Sequence, residues 1–376
     1  MLISSSPFPC FSSFLRKTRN IDFINNFYFF PLGRSALLSG LVSLGLKKQD
    51  SIIIPAYICD SAIHPLREYG FKLIFMDVDK EMNLSIDQVQ EVIIKNNIKA
   101  LLTVHYFGFT KDFDKLIRAC HELGVKVVED CTHSFLSQLS RNKVSIRSDM
   151  EIFSMRKTLP IQDGGALRVS SIHKNIKINS DQCISTLSAG KYLLKRLIWK
   201  ITINFGFNIY RPFLTRLKDN FRRISKDSRC SVNIGTCKPS QQLTHYLKSD
   251  RYMNRARTRI RANFSRLSIE VKKIGFELAI DSLSVGAFPQ ALAIYNSNDG
   301  LMDYLRINGV GAWCWPGNEL PLEVSNNPKI YLNSVHFNKK IILLPIHQDI
   351  SHKQCDYMVE VLTKWQNGRV QEESNA

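Results

Sequence analysis

The chain reads as an α/β protein: a mostly parallel sheet in three layers with helices on both faces, followed by a smaller C-terminal α+β domain. Three observations predict this. Short strands that are apolar at nearly every position recur, as in Ser51-Ile52-Ile53-Ile54-Pro55 and Ala100-Leu101-Leu102-Thr103-Val104-His105, and such strands need cover on both faces. Each is followed by a stretch with apolar residues at helical spacing, the alternation that builds a parallel sheet. Polar residues suited to chemistry collect just after the strands, where sheets of this class hold their ligands.

In order, residues 1–28 form a loosely specified N-terminal extension. Its first 15 residues carry no charge and Arg16-Lys17 follow them, the reverse of a secretory signal. Phe27 to Phe30 is expected to pack on the body. The large domain, 29–240, opens with a helix over Ser35 to Leu46, then a strand at Ser51 to Pro55 and a helix at Ser61 to Tyr69. Strands follow at Phe71 to Met76, Ala100 to His105, Val125 to Val128, Ile152 to Ser154 and Ala166 to Val169. Helices at Ile86 to Asn96 and Asp112 to Leu123 separate them. A basic helical insertion occupies about 171–235, with two amphipathic helices between Tyr192 and Arg223. Residues 241–376 hold a linking helix, read as one long basic element from Gln241 to Arg266, and the small domain. There, strands at Ala291 to Tyr295 and Ile341 to Leu344 alternate with helices at Gly300 to Asn308 and Lys353 to Lys364.

With 376 residues, 44% apolar and 22% charged, the chain can bury a large core and is not a disordered tract. Its nine cysteines are scattered and form no CxxC pair. That usage predicts reduced thiols in the cytoplasm, with neither a disulfide framework nor a metal site. No run approaches the roughly 18 apolar residues of a spanning helix. The net charge is +18, and residues 191–261 carry 18 Lys and Arg against 3 Asp. Such a segment is either a solvated basic face or a surface for nucleotide phosphates or an anionic membrane. Nucleic acid is not an expected partner.

The candidate site begins with Phe153-Ser154-Met155-Arg156-Lys157 and the Gly164-Gly165 pair after it. A lysine in such a turn is either a solvated loop residue or an inward-facing amine. Burial would push that amine toward its neutral, nucleophilic form, suited to condensation with a carbonyl cofactor. Gly33-Arg34-Ser35 opens a helix, either as an ordinary cap or as a phosphate cradle. Asp130 follows the apolar run Val125 to Val128 and serves either as a helix cap or as a carboxylate facing the ligand crevice.

These stretches resemble the DegT/DnrJ/EryC1/StrS family of sugar aminotransferases. The shared blocks are Gly33-Arg34-Ser35-Ala36-Leu37, Asp50 to Pro55, Val104-His105-Tyr106-Phe107-Gly108, Glu129-Asp130-Cys131-Thr132-His133, the Phe153 to Gly165 stretch and Leu343-Leu344-Pro345-Ile346-His347. The resemblance implies fold type I of the pyridoxal 5′-phosphate transferases and a cytoplasmic homodimer. It also implies transfer of an amino group from an amino acid, glutamate first, to a keto sugar carried on a nucleotide. By the same resemblance Lys157 would bind the cofactor and move the proton, and Asp130 would pair with the pyridinium nitrogen. His133 would lie near the phenolic oxygen, while Gly33, Arg34, Ser35 and Ser154 would hold the phosphate. The chain departs from the family pattern at Arg34, where a hydroxyl is usual, and at Cys59, where an aromatic ring usually stacks on the cofactor. Tyr57 is therefore the substitute stacking candidate. The Ser154 to Lys157 link is two residues short. Relatives that act as sugar dehydratases carry histidine at the lysine position, so Lys157 points to transamination. A binding or membrane-associated member without catalysis is the remaining alternative.

Overall fold

The computed structural model describes residues 1–9, 27–140, 147–170, 236–296, 300–317 and 319–374. The basic insertion at about 171–235, with the two helices expected between Tyr192 and Arg223, lies outside them. The described strands form a seven-stranded sheet in the order β1-β7-β6-β5-β4-β2-β3 and a two-stranded sheet, β8-β9. The strands are β1 (Tyr28–Phe30), β2 (Ser51–Pro55), β3 (Lys72–Met76), β4 (Ile98–Val104), β5 (Lys126–Asp130), β6 (Met150–Ser154), β7 (Gly165–Val169), β8 (Ala291–Tyr295) and β9 (Ile341–Pro345).

Strands β2 to β6 pair in parallel, and β7 and β1 are antiparallel additions at one side. That arrangement brings distant segments to one edge. Ser154, the last residue of β6, faces Gly165, the first of β7, and Gly165 faces Phe30, the last of β1. The chain leaves Phe30 and at once enters helix α1 (Gly33–Ser43), so the N-terminus of α1 lies beside the carboxyl end of β6. The crossing is close. A Cβ on Gly165 would lie 2.2 Å from the carbonyl carbon of Leu32 and 2.7 Å from the nitrogen of Gly33.

Helices α2 (Asp60–Tyr69), α3 (Ile86–Asn96), α4 (Asp114–Glu122) and α5 (Phe135–Ser140) complete this part. The basic linking element is two helices, α6 (Gln241–Lys248) and α7 (Asp250–Lys273), where the sequence pattern reads as one. Ser249 breaks it: its backbone is non-helical, and its hydroxyl accepts the N–H of Tyr252 as the cap of α7. A Ser-Asp pair suits a cap better than a helix interior, because the short polar side chain competes for backbone donors. The last helix, α11 (His352–Ser374), packs on α7.

Two findings refine the expected boundaries. Tyr28 already belongs to β1, and residues 1–9 are not loose. Ile3 is buried and bridges Val310, and the carbonyl of Ser4 accepts from His347 Nε2 at 2.9 Å. Main-chain pairing at Gly309 and Gly311 gives this segment partners that its composition does not announce. The small domain is latched to the large one through Asp77 after β3. Its carboxylate accepts from Asn333 N (2.9 Å), Ser334 N (2.9 Å) and Ser334 Oγ (2.6 Å), capping α10 (Leu332–Lys340). α8 (Leu301–Ile307) and the short α9 (Leu322–Ser325) make up the rest. Among the described residues no helix is long and apolar enough to cross a membrane.

Candidate active site

Each predicted site residue except Arg34, Ser35 and Gly33 follows or ends a strand, and α1 supplies those three. Asp130 closes β5, where Val104 and Ile152 are its register neighbours, and Ser154 closes β6. Asp130 is buried, and its Oδ1 accepts the N–H of Thr132 at 2.8 Å. Helix α5 starts only at Phe135. The carboxylate therefore shapes a turn at the sheet edge and does not cap a helix.

After Ser154 the chain tightens into a 3₁₀ turn, Met155–Lys157. Met155 N donates to Gly164 O at 2.7 Å, closing the loop on the Gly-Gly pair, and Leu159 N donates to Met155 O at 2.7 Å. This turn accommodates the short link from Ser154. It leaves the half-buried Lys157 with its Nζ 3.1 Å from Thr132 Oγ1, in the same turn that holds Asp130. Burial lowers the pKa of the Lys157 amine, with Asp130 and then Cys59 pulling it back up.

His133 is buried, and its Nδ1 accepts the N–H of Phe107 at 3.3 Å. Its Nε2 therefore carries the hydrogen and is a donor. Burial, then the charge of Lys157, holds its pKa well below the ordinary 6.5, so the ring is neutral. Phe107 pays for this contact with a left-handed backbone, φ 55°, rare for a bulky residue. The indole of Trp315 meets His133 edge-on at 5.1 Å between centroids.

Tyr57 is placed differently from the stacking role expected of it. The residue is fully buried, its ring stacks on Tyr106 at 5.3 Å, and its hydroxyl donates to Trp315 O at 2.8 Å. It belongs to the aromatic core joining the two domains, because the small domain's Trp315 covers it. Cys59 is half-buried, with Sγ 3.0 Å from Ser61 Oγ.

At α1, Leu32 provides no side-chain cap. The bonds closing the first turn run from Ser35 N and Ala36 N to Leu32 O, at 3.1 and 3.2 Å. The N–H groups of Gly33 and Arg34, ahead of those two bonds, are the ones left to serve as anion donors, reinforced by the dipole of an 11-residue helix. A Cβ on Gly33 would meet Phe153 O at 3.2 Å, Ser154 Cβ at 3.3 Å and Thr132 Cγ2 at 3.5 Å. Glycine here lets the helix end approach Ser154 and Thr132. Arg34 is half-buried beside it. An anion cradle, a buried acid and a lysine amine of lowered pKa thus converge, and this donor set fits pyridoxal phosphate.

Sequence reasoning missed several participants. Thr132 sits inside the Glu129 to His133 block, and its hydroxyl was the signal available. Gln290 Nε2 donates to Lys157 O and Gln348 Nε2 to Thr158 O, both at 3.4 Å, so the small domain grips the lysine loop. Nothing local to either glutamine marks it. His105, Glu129 and Cys131 lie close enough to hold an ion, with ligand atoms within 4.8 Å of one another. Yet His105 Nδ1 accepts from Lys111 N at 3.0 Å, which leaves the hydrogen on Nε2 for Glu129 at 2.9 Å. Neither ring nitrogen keeps a free lone pair, so His105 and Glu129 act as a buried hydrogen-bonded pair.

Residues 32–208 match the DegT/DnrJ/EryC1/StrS aminotransferase family. A protein named GDP-perosamine synthase from Escherichia coli O157:H7 is 26% identical over 180 residues, 47% of this chain and 48% of that one. A GDP-4-keto-6-deoxy-D-mannose 3-dehydratase from Yersinia pseudotuberculosis is 28% identical over 109 residues, 29% of this chain and 28% of that one. The chain thus spans about half, or less, of the length of the curated relatives it matches. The crystal structure of DesV from S. venezuelae superposes with a TM-score of 0.63 at 16% identity, covering 90% of this chain and 84% of that one. At that identity the likeness is one of fold, that of the pyridoxal phosphate transferases of fold type I. The segment matched to that family model is the one that carries α1, Asp130, Ser154 and Lys157.

Proposed function

We propose that the protein is a pyridoxal phosphate-dependent aminotransferase that moves an amino group from an amino acid, glutamate first, to a keto sugar carried on a nucleotide. The observation that carries this reading is the Lys157 amine, 3.1 Å from Thr132 in the turn that holds Asp130. When bound, the cofactor supplies the electron sink that lets the carbon bearing the amino group give up its proton.

The chain's own groups supply the rest. Lys157 anchors the cofactor through its amine, which burial keeps available as a nucleophile, and the same amine then carries the proton between carbon atoms. Asp130 offers the pyridinium nitrogen an ionic partner. His133, neutral and with Nε2–H free to donate, hydrogen-bonds the phenolic oxygen. The N-terminus of α1 and Ser154 bind the phosphate, with Arg34 as a further cation. Trp315 covers the Tyr57 and His133 side of the site and excludes water there. The described part of the basic segment includes the exposed Lys238, Arg251 and Arg255, and such a surface suits a substrate bearing a pyrophosphate. The six cysteines described with their burial are free thiols, in keeping with a cytoplasmic protein, and a homodimer is the assembly the family implies.

The test is spectroscopic. Purified protein mixed with pyridoxal phosphate should develop the visible band of the lysine-bound cofactor, and Lys157→Ala should abolish it. Glutamate should bleach the band. A wild-type protein with no band refutes every cofactor-dependent reading. A band that no common amino donor bleaches favours dehydration, the activity for which the Yersinia relative is named.

A further inference from the structure

Thr132 touches both chemical anchors of the site. Its backbone N–H donates to Asp130 Oδ1 at 2.8 Å, and its Oγ1 accepts from Lys157 Nζ at 3.1 Å. Its methyl group lies beside the N-terminus of α1, where a Cβ on Gly33 would come within 3.5 Å of Thr132 Cγ2. The residue itself is buried, 8% exposed.

A lysine that binds a carbonyl cofactor must also exist as a free amine, whenever an amino substrate has displaced it. A four-carbon stem with three rotatable donors has many places to go. A buried amine without an acceptor is costly, and it would take any partner within reach. The carboxylate whose charge acts most on the Lys157 amine is Asp130, whose proposed role requires it to stay with the pyridinium nitrogen. The only side-chain acceptor to which Lys157 Nζ is hydrogen-bonded among the described residues is Thr132 Oγ1.

We propose that Thr132 is the positioning residue that parks the free Lys157 amine beside the cofactor site and keeps it off Asp130. This rests on the aminotransferase reading. In the parked state the hydroxyl accepts from the amine and donates its own hydrogen elsewhere. When Lys157 returns to the carbonyl, the hydroxyl releases it without any change of charge. Threonine suits this because its β-branch restricts χ1, so the oxygen stays aimed.

Thr132→Val keeps the shape and the backbone N–H on Asp130 and deletes only the oxygen. The apoprotein provides a readout independent of cofactor chemistry: the pH profile of amine labelling at Lys157, followed by mass spectrometry of its peptide. Losing an acceptor disfavours the ammonium, so Thr132→Val should lower the midpoint by on the order of one unit. Thr132→Ser should keep the wild-type midpoint. In the loaded enzyme, Thr132→Val should reduce kcat about tenfold or more while KM for the amino donor changes little, because the amine returns from a scattered set of positions. A Thr132→Val midpoint equal to wild type overturns the proposal. So does an equal shift in Val and Ser, which would assign the effect to packing. If wild type never develops the visible band, the aminotransferase reading fails, while the apoprotein profile still reports on Thr132.

Discussion

Replacing Gly165 by alanine tests whether the antiparallel end of the sheet sets the phosphate cradle. The added methyl would lie 2.2 Å from Leu32 C, 2.3 Å from Leu32 O and 2.7 Å from Gly33 N, whereas ordinary contact begins near 3.4 Å. All three are backbone atoms, so no side chain can rotate away. The entry to α1 must recede by about 1 Å, and overpacking of this kind costs about 1–3 kcal/mol. The same shift pulls the leading N–H groups of α1 from the phosphate. One charge-assisted hydrogen bond is worth about 1.5–3 kcal/mol, which converts to roughly 10–100-fold in cofactor affinity. Urea unfolding and absorbance titration with pyridoxal phosphate measure the two effects. Gly33→Ala is the graded comparison: its methyl would meet Phe153 O at 3.2 Å and Ser154 Cβ at 3.3 Å, a misfit of a few tenths of an ångström. Its penalties should be smaller on both scales. Wild-type stability and affinity in Gly165→Ala, or a larger loss in Gly33→Ala, would refute the reasoning.

Two further outcomes follow from buried polar groups. His133 has a folded pKa well below 6.5, so the unfolded chain binds the extra proton and folding weakens as pH falls below that value. His133→Gln removes this term, and its urea midpoint should fall less steeply than wild type from pH 7 to pH 5; parallel slopes would count against a neutral buried His133. Asp77→Ala strips the cap of α10 and leaves Ser334 N without its acceptor. The expected cost is about 1–2 kcal/mol, read as a lower urea midpoint, and an unchanged midpoint would show that the latch contributes nothing.

Much of the site was legible because its anchors are local. Asp130 and Ser154 end strands, and Lys157 follows three residues after Ser154, so locating the strands located the anchors at one edge. The break at Ser249 was equally local, but the continuous basic pattern from Gln241 onward masked a Ser-Asp cap that the sequence does contain.

The sequence by itself determined the alternation of apolar strands with helices, and with it a sheet whose carboxyl edge carries an acid and a lysine. Those features depend on residue periodicity over short windows, where a few side chains decide. Only the tertiary structure decided how that edge is finished. Strand order, with β7 and β1 antiparallel, brings α1 to Ser154, and no window containing Gly33 alone foretells it. Trp315, 258 positions after Tyr57, buries that ring in the joint between domains. Gln290 and Gln348 reach the lysine loop from 133 and 190 positions beyond their partners. Contacts at such separations arise from the sum of many weak packing terms across the whole chain, and these leave no local pattern to read.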